Sequence, residues 1–263
     1  MRPDKSKAHI EAMSPEERIA NARHKLSELK NHVLELITTN ANNEVISFTS
    51  TLSSQIPQSR AAHAFNNFQR SMFLAEIARV CALWDPLDFD KVSVPTIFHL
   101  IDDQVVMEQL LEERKDRYKE NGGHFSDASE PPMTPEMYEE TRKALLQEEL
   151  ARAEKSFARK SIKLSRVVPA LMSDHRMESI RQYRHHFVAH NIGRKLDEKT
   201  ERELPFDLPK MGHPRGLLKV TCAVANGLDD VLNDSYFGYG TSFKMAARNA
   251  KLLWENTTFS KLK

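Results

Sequence analysis

Strand-period alternation is almost missing from this chain, while stretches such as YEETRKALLQEELARAEKSFARKSIKLS, residues 138–165, consist almost wholly of good helix formers. Glycine occupies only 8 of 263 positions, so tight turns are few and the elements between them long. The sequence reads as all-α, and 263 residues suffice for a sizeable buried core without disulfides or a structural metal.

Helix boundaries follow from local chemistry. In "SPEE", Ser14 can cap a helix, Pro15 suits its first position and Glu17 closes a capping box; that helix is expected to run to about Thr39. The polar stretch TTNANNEVISFTSTLSSQ then reads as a loop with little structure of its own. A second helix fits Ala61 to Leu83 and stops at WDPLDFD. A third begins at Ser93 and Pro95 and runs to the pair Gly122 and Gly123. The segment NGGHFSDASEPPM reads as a loop, and Thr134 and Pro135 open the long charged helix, whose Glu-then-Lys/Arg spacings suit a solvated face. Ser173 or Asp174 can cap the next helix, Gly193 can stop it, and two more helices follow. This organisation divides the chain into an N-terminal helix and polar loop, 1–60, and a helical domain, 61–263.

With 38 basic and 37 acidic side chains the whole molecule exerts no strong field on a polyanion or membrane. Cys81 and Cys222 sit in apolar runs without ligand spacing, which favours buried free thiols and a cytoplasmic protein. No apolar run has the length of a membrane span or the form of a signal peptide, so no membrane partner is expected. P-loop, GxGxxG, GxSxG and CxxC patterns are absent, which removes the commonest nucleotide-hydrolase and dehydrogenase assignments.

Charge concentrates locally. Between Ser156 and Lys195 many arginines and lysines face only Asp174 and Glu178, and a phosphate-bearing partner is the natural inference. Within that region lies SIRQYRHHFVAHN, residues 179–191. Met177, Ile180, Phe187 and Val188 fall within about 60° of one helix direction, a core-facing stripe, and Arg184 lies in its middle. A permanent charge there costs several kcal/mol unless paired or facing a wet cleft. His190 follows about 120° around and roughly 9 Å along, His185 lies about 100° to the other side, and His186 points nearly opposite Arg184. Histidine can move a proton near neutrality, and arginine can hold a phosphate whose charge grows in the transition state. With RNA the 2′-hydroxyl is an internal nucleophile, so such a pair predicts transesterification to a cyclic phosphate and a free 5′-hydroxyl, with no cofactor and no metal.

The stretch RHHFVAH resembles the R-x(4-6)-H signature of the HEPN superfamily, an all-α, RNA-associated fold, with Arg184 and His190 as its ends and His185 as the polar residue after the arginine. The early FLAEIARVCALWD, the charged middle helix, the motif helix and the closing helix pair are similar to the abortive-infection, AbiU-type branch, over about Ala61 to Thr257. The resemblance implies a HEPN-like helical bundle with extra N-terminal helices. It also implies a homodimer whose motif helices meet, acting as a metal-independent endoribonuclease in a defence or toxin role, with a neutralising antitoxin as a further partner to expect. On this reading Arg184 holds the scissile phosphate, His190 moves the proton and His185 orients or assists, while Arg181, Arg176, Arg194 and Lys195 attract the RNA backbone.

Other readings stand beside it. Arg184 can instead form a buried ion pair with a glutamate of the charged helix, Glu148 or Glu149, and His190 can be a helix-end histidine favoured by the dipole. His186 and His190 share a zinc-compatible spacing, but nothing else completes such a site. A non-catalytic helical dimer that binds RNA, nucleotide or a partner protein through the same patch is the main functional alternative.

Overall fold

The computed structural model describes residues 3–56, 60–121, 134–185 and 212–258, and among these the chain is helical without a strand. The helices are α1 (Pro3–Glu11), α2 (Pro15–Phe48), α3 (Ser50–Gln55), α4 (Arg60–Ala82), α5 (Val94–Ile101), α6 (Gln104–Asn121), α7 (Pro135–Met172), α8 (His175–Tyr183), α9 (Gly212–Asn233) and α10 (Tyr239–Glu255). The all-α expectation holds.

The axis of the bundle is α2, which packs against α4, α5, α6, α9 and α10. It starts as its sequence specifies: the Ser14 amide donates to Glu17 Oε2 at 2.9 Å and the Glu17 amide to Ser14 Oγ at 3.2 Å, completing the capping box. It does not stop at Thr39. The polar stretch read as loop continues the helix to Phe48 and then forms α3. The reason is tertiary. Asn40 Nδ2 and Asn43 Nδ2 donate to the two oxygens of Glu76 on α4, at 2.9 and 2.5 Å, while Trp254 of α10 donates to Asn42 at 2.7 Å. Polar side chains that favour turns locally find hydrogen-bond partners across helix interfaces instead, with Val45 and Ile46 buried among them. Residues of α2, including Leu26, Leu29 and Val33, share one core with Val80, Leu100 and Leu228, so the packed core extends across position 60.

A second departure lies after Ser93. Its hydroxyl does cap α5, accepting from the Thr96 amide at 3.3 Å, but the single helix expected to reach Gly122 breaks at Asp102 and Asp103. Asp103 Oδ1 accepts from the amides of Val105 and Val106, restarting the chain as α6. Arg18 closes the other side, donating to the carbonyls of His99 and Leu100 and pairing with Asp103 at 3.2 Å. The C-terminal carbonyls of α5 thereby gain a partner from α2.

Capped by Thr134, α7 turns Phe157, Leu164 and Val168 into the core. It approaches α9 closely: a Cβ at Gly227 would sit 3.0 Å from Leu164 Cδ2. Asp174 caps α8, accepting from the Arg176 amide at 2.8 Å. The short α8 is anchored by Met177 in the main core and by Ile180, which packs with Ile77 and Cys81 of α4. Both members of the expected apolar stripe that lie in described residues are therefore buried; Phe187 and Val188 fall outside them.

Candidate functional site

At the C-terminal end of α8, Arg184 and His185 follow with a wider, π-type hydrogen-bonding pattern. Arg184 does carry an ion pair, but with neither Glu148 nor Glu149. Its Nη1 lies 2.8 Å from Oδ1 of Asp85, in the connection between α4 and α5, and Glu148 pairs with Arg152 on its own helix. The second oxygen of Asp85 is 3.1 Å from Lys91 Nζ. A carboxylate only 11% exposed is thus held between two cations, and the Arg184 side chain is 29% exposed. Pairing and a wet edge together remove the cost of a charge in an apolar stripe.

The arginine one turn back does different work. Arg181 Nη2 donates to the Trp84 carbonyl at 2.8 Å and Nη1 to the Met172 carbonyl at 3.2 Å. Its side chain is 18% exposed, so this guanidinium joins α8 to the end of α4 and the end of α7 rather than standing as a surface cation. Both terminal nitrogens of Arg181, expected as an RNA-backbone contact, thus donate to carbonyls within the protein. Arg176 is exposed but stands at the other end of α8, about 12 Å of helix from Arg184. Its Nε and Nη2 grip the Asp174 carboxylate at 3.0 and 2.8 Å, and those hydrogen bonds hold that carboxyl well below its usual range. His190, Arg194 and Lys195, and His186 of the zinc reading, lie outside the described residues. The structure therefore brings Arg184 and His185 together and sets Arg176 apart.

Sequence reading missed Asp85 and Lys91. The available signal was an acidic residue directly after the buried Trp84 and before Pro86, in a segment read only as a helix stop. Beneath the site lies Cys81. Burial pushes its thiol up to about 12; Arg184 and Arg181 pull the other way, Asp85 does not, and the outcome is a packed neutral thiol rather than a nucleophile. Among the described residues no group of three or more His, Cys, Asp or Glu is placed to hold a metal ion, and no helix is long and apolar enough to cross a membrane.

Beside the first half of α8 an apolar cavity of about 380 Å³ opens between Leu171, Met177, Ile180, Leu217 and Val220. Arg184 does not line it, so cavity and arginine are separate features.

No curated protein and no solved structure matches the chain. The family model described as AbiU2, a HEPN family, matches residues 17–254, which extends the resemblance from its expected start near Ala61 back into α2. With an all-α bundle built on that helix and a match covering most of its length, the chain belongs to the AbiU2 family of HEPN proteins.

Proposed function

We propose that this protein is a metal-independent endoribonuclease of the abortive-infection type, working as a homodimer. The observation that carries the reading is Arg184, paired with Asp85 at the end of α8 with its side chain partly exposed. Arg184 holds a non-bridging phosphate oxygen. His190 takes the proton of the 2′-hydroxyl as its oxygen attacks phosphorus; the bond to the 5′-oxygen breaks, and that oxygen receives a proton, leaving a 2′,3′-cyclic phosphate and a 5′-hydroxyl. His185 orients or assists. At ideal helical spacing Arg184 and His190 would diverge by about 120°, and a symmetric partner would supply the converging direction.

The test is cleavage of a mixed RNA pool in excess EDTA by wild type, His190→Ala and Arg184→Ala, with product ends identified. Cyclic phosphate ends from wild type, absent from both variants, are expected. A folded, dimeric wild type that retains RNA and cleaves none sinks the enzyme reading. The alternative is a non-catalytic dimer that binds RNA, nucleotide or a partner protein, an antitoxin among them. One observation favours it: Asp85 already neutralises part of the charge that Arg184 would offer a phosphate.

A further inference from the structure

The charges of α7 are segregated along its length. From Pro135 to Glu154 it carries six glutamates against Arg142, Lys143 and Arg152, two of which pair within the helix, Arg142 with Glu139 and Arg152 with Glu148. From Lys155 to Met172 it carries five cations and no carboxylate. The Glu-then-Lys/Arg spacings read from the sequence as a solvated face give ion pairs within the helix only in its first half.

Direction around the helix sorts the second half further. At 100° per residue Lys155, Arg159, Lys163 and Arg166 fall within an arc of about 80° and span roughly 16 Å of axis, close to one cation per turn. All four are exposed, and none has an ion-pair partner among the described residues. Lys160 lies off that arc, and it is ion-paired, with Asp230 of α9. Orientation rather than composition thus separates the structural cation from the unpaired ones. Ile162, 50% exposed, lies about 20° outside that arc, and an open hollow of about 540 Å³ forms over Arg159, Ile162, Lys163, Arg166 and Val167.

We infer that this stripe is a track for a single-stranded RNA backbone, and the inference rests on the ribonuclease reading only in supplying RNA as the polyanion. A row of like charges on a rigid helix stands unpaired among the described residues, and a chain of phosphates complements it. No aromatic side chain lies in the stripe, so it offers no stacking platform and no base readout; the interaction is with phosphates and independent of sequence. The track ends at Arg166, about 9 Å of helix before α7 gives way to α8, the helix that delivers Arg184. This moves backbone attraction from α8, where Arg181 and Arg176 are engaged, to α7.

The experiment uses the full chain and a mixed-sequence 20-mer RNA whose riboses are 2′-O-methylated, so that it cannot be cleaved by the proposed chemistry. Binding is followed by fluorescence anisotropy across potassium chloride concentrations for wild type, for the triple variant Arg159→Gln, Lys163→Gln, Arg166→Gln, and for the control Arg142→Gln, Arg152→Gln. The triple variant should retain wild-type thermal stability, bind at least about tenfold more weakly, and show a log–log salt slope shallower by about 2, at roughly 0.7 for each phosphate that is no longer neutralised. The control should stay within about twofold of wild type, as exposed paired charges contribute little. Unchanged affinity and slope in the folded triple variant overturn the inference, as does an equal weakening in the control, which would make the effect one of net charge. A wild type that fails to bind this RNA at low salt overturns it too and leaves the stripe to an acidic protein surface. Weakened RNA binding in the triple variant beside a wild type that cleaves nothing supports the track and fails the ribonuclease reading alone; cleavage with an indifferent triple variant does the reverse.

Discussion

Arg184 at the end of α8 and Asp85 between α4 and α5 form an ion pair, Nη1 to Oδ1 at 2.8 Å, that ties the motif helix to the connection leaving α4, the helix it packs against. The two residues are far apart in sequence, and Lys91 shares the same carboxylate. The pair positions the guanidinium while limiting the charge it presents.

A double-mutant cycle of Asp85→Asn and Arg184→Gln, read by urea unfolding, should give a coupling energy of about 1–2 kcal/mol, above that of an exposed pair because Asp85 is mostly buried. Coupling below about 0.3 kcal/mol would mean that the pair does not hold the helix end.

Arg181→Lys should lower stability by roughly 1–2 kcal/mol, since an ammonium cannot reproduce the fork that reaches the carbonyls of both Trp84 and Met172. RNA affinity and its salt slope should stay as in wild type. A slope shallower by about 0.7, the share of one phosphate, with stability intact, would instead return Arg181 to the RNA surface.

Burial raises the Glu76 carboxyl above its ordinary value, with Asn43 and Asn40 pulling it down. The folded state therefore holds a proton that the unfolded state has released, and stability falls as pH rises from the ordinary glutamate range through the elevated pKa. Glu76→Gln cannot ionise. The difference in melting temperature, variant minus wild type, should grow more positive as pH rises above the ordinary glutamate range; a constant difference would show that Glu76 titrates normally.

Gly227→Leu should force α7 and α9 apart, because even a Cβ there meets Leu164 Cδ2 at 3.0 Å. The expected destabilisation is about 1–3 kcal/mol, and Leu164→Ala in the same chain should recover part of it. A Gly227→Leu protein as stable as wild type would show that the two helices separate freely.

Local chemistry makes much of the fold legible. Ser14, Ser93, Thr134 and Asp174 cap the helices that their hydroxyls or carboxylates announce, because a cap depends on residues three positions apart or fewer. The stretch from Asn40 to Gln55 reads as a loop but folds as helix because its turn-forming side chains find partners on α4 and α10, interactions with no local signature. The break at Asp103 is illegible for a related reason: its local capping is completed by Arg18, far away in sequence.

An all-α chain, its family and the position of Arg184 on the apolar stripe of the motif helix follow from residue order alone, since composition and spacing are local properties. What each cation does is set by packing, because the energy of an arginine depends on the oxygens it reaches. Asp85 claims Arg184, two carbonyls claim Arg181, Asp174 claims Arg176 and Asp230 claims Lys160, which leaves the stripe on α7 unpaired among the described residues. Most of those pairings cross helix interfaces, and periodicity along one helix carries no information about which acid or carbonyl another helix brings within about 3 Å.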